Sequence, residues 1–214
     1  MEQKQKALQI YTLLNKTYPY AKVALNFSNP LETLTATILS AQCTDKRVNM
    51  VTPTLFKKYK TAKDYAQADI KELEQLIRST GFYHAKAKSI QNACKIISEK
   101  HKGKVPNTME ELIKLPGVAR KTANIVLGNA YGIVEGIAVD THMKRVNFRL
   151  GLTKNTDPDK IEKNLMQLLP QDKWFKFTYL IIEHGRAVCK APTPSCTKCV
   201  LFKLCPRNGV KKYN

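Results

Sequence analysis

At 214 residues the chain is long enough for one large domain or two small ones. Its 36 lysines and arginines outnumber 17 acidic residues and leave a formal net charge of +19, which points to a polyanionic partner and away from an enzyme of neutral small molecules. A membrane surface is the rival polyanion, but no apolar run approaches the roughly 20 residues of a membrane span. No signal peptide precedes Tyr11, so a soluble cytoplasmic protein is expected. Of the cysteines, Cys43 and Cys94 stand alone and read as small core residues, while four cluster near the C-terminus. In a reducing compartment that pattern favours metal over disulfides.

Taken in order, residues 4–16 form an amphipathic helix with Ala7, Leu8, Tyr11 and Leu14 on one side, ended by Tyr18-Pro19-Tyr20. Asn29-Pro30 opens a second helix, Leu31 to Ala41, with Leu34, Ile38 and Ala41 on one face. Helical spacing recurs at Ile70-Leu73-Leu76-Ile77, at Ala87-Ile90-Cys94-Ile97 and at Ile161-Leu165-Leu168, the last opened by Asp157-Pro158. Trp174 to His184 is a further helix. Only Ile133–Val139 resembles a strand, so the chain reads as all-α, with no repeat and no low-complexity segment.

The stretch Leu115 to His142, LPGVARKTANIVLGNAYGIVEGIAVDTH, organises the rest. Thr108 and Glu111 form a capping box for a short helix through Glu110, Leu112 and Ile113, which Pro116 and Gly117 break. A second helix starts near Val118 or Ala119 and buries Ala123, Val126 and Leu127. The turn Pro116-Gly117-Val118 then offers free backbone N–H groups at a helix N-terminus, an arrangement that holds a phosphate without reading a base and that an ordinary helical corner also shares. Lys121 falls in the first turn, where the helix dipole and neighbouring Arg120 disfavour the ammonium form. An amine that is partly neutral attacks an electrophilic carbon, although many lysines of so basic a chain are simply solvated. Gly132 and Gly136 let the chain return along the helix to Asp140, which also caps a helix from Thr141 to Leu150, closed by Gly151. His142, in that helix's first turn, reads as a packing residue.

Cys189, Cys196, Cys199 and Cys205 are spaced C-x6-C-x2-C-x5-C. Ligand type alone leaves zinc and a [4Fe–4S] cluster both open, although zinc usually takes two C-x2-C pairs. Lys190, Lys198, Lys203 and Arg207 surround the cysteines and give the loop phosphate-binding charge. Gly81-Phe82-Tyr83-His84 is a glycine-led turn whose aromatics belong either in the core or in a base stack.

LPGVARKTAN, VDTHMKRVNFRLGL and the cysteine spacing together resemble the endonuclease III family of DNA glycosylase/AP lyases, over about Asn29 to Cys205. The resemblance implies that residues 108–130 are a helix-hairpin-helix contacting DNA through Leu115, Pro116, Gly117, Val118, Ala119 and Arg120. It makes Lys121 the Schiff-base nucleophile, Asp140 its assistant, and the four cysteines ligands of a [4Fe–4S] cluster beside a DNA-contacting Lys190. Ser40-Ala41-Gln42-Cys43-Thr44-Asp45 matches the family's SAQ-x-TD, in which Gln42 fills the space left by an extruded nucleotide, and Phe82 stands at the apolar wedge, with Tyr83 and His84 beside it. Three positions depart from the usual pattern: Ala119 replaces a second glycine, Phe82 a leucine and His84 an asparagine. The loop KAPTPS also carries a single basic residue. The resemblance further implies a six-helix barrel, 23–134, a cluster domain, 1–22 with 135–214, and an active-site groove between them.

The reading is a monomeric bifunctional glycosylase/AP lyase that acts on oxidised or ring-damaged pyrimidines, and on abasic sites, in double-stranded DNA. One rival is a monofunctional mismatch glycosylase of the same superfamily. Its members lack this lysine, and the adenine-mismatch ones carry a further domain, whereas nine residues follow Cys205. The other rival is a non-catalytic protein that recognises DNA structure.

Overall fold

Short polar side chains set where most helices begin. A computed structural model describes residues 2–214 and contains eleven α-helices and no strand among them. Asn29 caps α2 (Pro30–Leu39), Thr44 caps α3 (Asp45–Lys58), Thr61 caps α4 (Ala62–Ala66) and Asp69 caps α5 (Ile70–Ile77). Thr108 caps α7 (Met109–Leu112), Asp140 caps α9 (Thr141–Arg149) and Asp157 caps α10 (Pro158–Leu168). Each cap accepts a backbone N–H that the helix itself leaves unpaired, a contribution of about 1 kcal/mol. The others, α1 (Gln3–Thr17), α6 (Tyr83–Lys100), α8 (Arg120–Val126) and α11 (Gln171–Ala187), start without a side-chain cap. No described helix is long and apolar enough to cross a membrane.

The chain divides into two compact units, one from Ala24 to Glu135 and one formed by the residues up to Val23 with Gly136–Asn214. In the first, α6 is packed by α2, α4 and α5, and α8 by α2 and α7. Leu34, Leu39, Val48, Leu55, Leu73, Ile77, Ile90, Ile97 and Val126 are buried there, each burial contributing about 1.5–3 kcal/mol. In the second, α1 packs on α10 and α11, and α9 on α11, around Ile10, Leu14, Met143, Val146, Ile161, Leu165, Phe177 and Ile181. A Cβ on Gly185 of α11 would stand 2.9 Å from His142 Nδ1 of α9, so the glycine permits that close crossing.

Several expectations need correction. On α1 the buried row is Ala7, Ile10 and Leu14, and Leu8 is 38% exposed, because the packed stripe follows the i, i+3, i+7 row. Tyr11 is half-buried. Helix α2 stops at Leu39, leaving Ala41 exposed, and α7 ends before the exposed Ile113. Helix α8 ends at Val126 and widens into a π turn, Leu127–Tyr131, closed by Gly132 at φ +68°. Ile133–Val139 lies along no neighbouring strand; the Ile137 N–H instead donates to Glu162 Oε1 of α10 at 3.1 Å. Cys94 is buried, its thiol pushed up to about 12 by desolvation, whereas Cys43 is only half-buried.

Candidate active site and cluster loop

The hairpin is built from a proline–glycine turn. The Val118 N–H donates to the Leu115 carbonyl at 3.1 Å, with Pro116 and Gly117 between them and Gly117 at φ +77°. Proline fixes the first central dihedral and glycine permits the second, the pattern of a type II turn. Of the three residues expected to offer N–H groups, Pro116 has none and Val118 spends its own on Leu115. That leaves the Gly117 N–H and the opening turn of α8, which starts at Arg120 behind Ala119, a residue with no side-chain oxygen to cap it, as the backbone donors an anion could use. Leu115 and Val118 are buried, so only their backbone can face a ligand, while Ala119, Arg120 and Lys121 are exposed. The Thr108 hydroxyl accepts from Glu111 N at 3.4 Å, but the Glu111 carboxylate is taken by Lys114 at 2.8 Å, so only half of the capping box forms.

Gly117 also fits where nothing larger does. A Cβ there would lie 2.8 Å from Ser89 Cβ on α6, on top of the left-handed dihedral. Gly117→Ala is expected to cost about 1–3 kcal/mol of stability and to weaken DNA binding in proportion as the turn is displaced. Denaturant unfolding checks it, and an unchanged midpoint would contradict this account of the turn.

Gln42 and Phe82 share a backbone feature. Both are exposed non-glycine residues in the left-handed region, at φ +52° and +49°. That conformation is uncommon for such side chains, and where it persists the surroundings enforce it. Phe82 is 65% exposed and is not a core residue. Tyr83 opens α6, half-buried, with its ring 4.1 Å from that of His84, and His84 Nδ1 lies 2.8 Å from Glu74 Oε1 of α5.

Asp140 accepts from Met143 N through Oδ1 at 2.8 Å, so the carboxylate is fixed at the head of α9. One turn and two turns further on, Arg145 and Arg149 point into the cysteine loop. Arg145 Nε donates to the Cys189 carbonyl at 3.2 Å and its Nη2 to the Gly185 carbonyl at 3.0 Å. Buried Arg149 donates to the Lys190 carbonyl at 2.8 Å and to Cys189 Sγ at 3.4 Å. Lys190 itself is exposed. Cys189, Cys196, Cys199 and Cys205 all line one pocket, with Val146, Val188 and Phe202 among its apolar walls. Burial pushes the Cys199 thiol up to about 11 and those of Cys196 and Cys205 upward. Among the described residues no group of three or more His, Cys, Asp or Glu side chains is gathered around the position of a single ion.

Residues 35–171 match the family described as HhH-GPD superfamily base excision DNA repair protein. Endonuclease III of Synechocystis sp. is 56% identical over 203 residues, 95% of this chain and 93% of that protein. This chain belongs to the endonuclease III family. Two solved structures described as a non-covalent endonuclease III–DNA complex and as a trapped endonuclease III–DNA covalent intermediate each superpose with a TM-score of 0.92 at 44% identity, over 97% of both chains.

Within this endonuclease III chain the hairpin, Lys121, Gln42 and Phe82 belong to the Ala24–Glu135 unit, and Asp140, Lys190 and the cysteines to the other. Arg145 and Arg149 were not singled out from the sequence. Their i, i+4 spacing in VDTHMKRVNFRLGL placed them on one face of α9, but on a chain of charge +19 the pattern reads as solvated surface.

Proposed function

We propose that this protein is a bifunctional DNA glycosylase/AP lyase of base excision repair, with oxidised or ring-damaged pyrimidines as its substrates. The observation that carries the proposal is Lys121, exposed in the first turn of α8 directly after the Pro116-Gly117 turn. A phosphate held by the turn brings the sugar of an extruded nucleotide to an amine. The Lys121 nitrogen bonds to C1′, the glycosidic bond breaks, and the base leaves with the bonding electrons and takes a proton. Asp140 accepts the proton that the amine gives up; the C1′–O4′ bond of the sugar then breaks, O4′ takes that proton, and the ionised carboxylate stabilises the cationic imine left at C1′. Its Oδ1 accepts from Met143 N, which holds the carboxylate at the head of α9. Loss of a C2′ proton then expels the 3′ phosphate and cuts the strand on the 3′ side of the lesion, and water releases Lys121.

Cys189, Cys196, Cys199 and Cys205 are proposed to hold a [4Fe–4S] cluster. All four cysteines line one largely apolar pocket, and with their spacing C-x6-C-x2-C-x5-C this supports a shared centre held by thiolates. When bound, the cluster cross-links the loop and takes no part in the bond-breaking steps. Arg149 and Arg145 hold the backbone of that loop in place for it. The net charge of +19 supplies the phosphate attraction, so binding weakens steeply with salt.

A strand-cleavage assay on a duplex containing one thymine glycol tests the activity. The expected product is a nick on the 3′ side of the lesion without added alkali, absent from the undamaged duplex. Base release that nicks only after alkali would mean a monofunctional enzyme, and binding without release would mean a DNA-structure-binding protein.

A further inference from the structure

Helix α6 carries two lysines two positions apart with opposite surroundings. Lys88 is exposed; Lys86 is 5% exposed. Lys86 Nζ donates to the Leu39 carbonyl and to the Thr80 carbonyl, both at 2.8 Å. An ammonium is costly to bury, and desolvation holds this one below its ordinary pKa. Its hydrogen-bond partners are backbone carbonyls. Leu39 is the last residue of α2, where the carbonyls lack intrahelical partners and the dipole favours a cation, and Thr80 ends the short 3₁₀ turn Arg78–Thr80. An apolar side chain of the same length would leave both carbonyls unsatisfied.

The two carbonyls mark the roots of two loops. Three residues after Leu39 comes Gln42, and two residues after Thr80 comes Phe82, both held at positive φ. One buried charge thus ties together the bases of the segments that present both strained, exposed side chains. Extrusion of a nucleotide costs a few kcal/mol of unstacking and unpairing, which groups entering the gap must offset. Two such groups act together only if their roots keep a fixed separation.

We propose that Lys86 is a positioning residue whose ammonium clamps the roots of the Gln42 and Phe82 loops, so that the two side chains enter the opened duplex as a pair. This inference rests on the base-excision reading above.

The test compares Lys86→Met, which keeps the stem and removes the charge, with wild type. Single-turnover base release is measured on one thymine-glycol oligonucleotide, once as a duplex and once as a single strand, where no partner strand has to be held open. The duplex rate is expected to fall about 10- to 100-fold, as small misplacements of positioning groups do, with the single-strand rate changed less than about 2-fold. Amide exchange in residues 40–44 and 80–83 of the DNA-free variant is expected to quicken together. Equal losses on both substrates would show a general structural role and overturn the proposal, as would an unchanged duplex rate. If Lys86→Met does not fold, the wild-type background decides. Gln42→Ala and Phe82→Ala are then expected to be non-additive on the duplex, the double variant losing less than the product of the single losses, and strict additivity would overturn the clamp. A wild type that releases base from neither substrate would sink the base-excision reading and this inference with it. An active wild type matched by Lys86→Met on both would sink this inference alone.

Discussion

Lys121→Gln is expected to lose strand cleavage by on the order of 10³-fold or more while still binding a lesion-containing duplex. Glutamine keeps most of the length and polarity of lysine but has no amine lone pair to form the imine. The fold should tolerate it, because Lys121 is exposed and the first turn of a helix disfavours a cation in any case. Removing one charge from a protein of net charge +19 leaves most of the phosphate attraction in place. Cleavage by this variant at the wild-type rate would remove the nucleophile from the mechanism; loss of binding along with cleavage would mean that Lys121 grips the backbone and does not attack the sugar.

The second large effect is expected at the cysteine loop. Cys199 shares its pocket with the other three cysteines and has Sγ 3.5 Å from His184 Nε2, and Cys189, Cys199 and Cys205 pack against the core of their unit. The loop from 188 to 205 contains only a three-residue 3₁₀ turn, Cys196–Lys198, and is held by backbone turns such as Ser195 N–H to the Val188 carbonyl, by the buried Leu201 and by the arginines of α9, to which the proposed cluster would add a cross-link. Cys199→Ser replaces a soft thiolate with a hydroxyl that iron holds poorly. The expected outcome is loss of the visible absorbance of the purified protein, less soluble protein, and a thermal midpoint lower by roughly 10 °C, as a loss of about 3 kcal/mol gives in a chain of this size. A colourless variant with wild-type stability and activity would contradict the structural role of the cluster.

What the sequence could show, and what it could not, follows from how local each feature is. The Asp140 cap, the Pro116-Gly117 break and the C-x6-C-x2-C-x5-C spacing are fixed by residues close in the chain, and each has its counterpart in the structure. The number of N–H groups left for a phosphate was not legible, because it depends on the Val118–Leu115 bond within the turn. Helix α3 was missed because Pro53 interrupts its pattern and one of its buried positions is Thr52, a polar residue. The longest-range failures concern cations. Lys86, Arg145 and Arg149 each satisfy carbonyls distant in sequence, and nothing in AKAKS or MKRVNFR separates them from the exposed Lys88 or from the surface charges typical of a basic chain. The left-handed backbone at Gln42 and Phe82 was likewise not legible, since neither residue type favours it.

If Lys121 forms a covalent bond to the sugar, borohydride reduction traps that bond. Wild-type protein incubated with a thymine-glycol duplex and reductant is predicted to give a stable protein–DNA adduct, with the peptide bearing the sugar mapping to Lys121 and no adduct from Lys121→Gln. Base release with no adduct from the wild type, or an adduct that persists in Lys121→Gln, would contradict it.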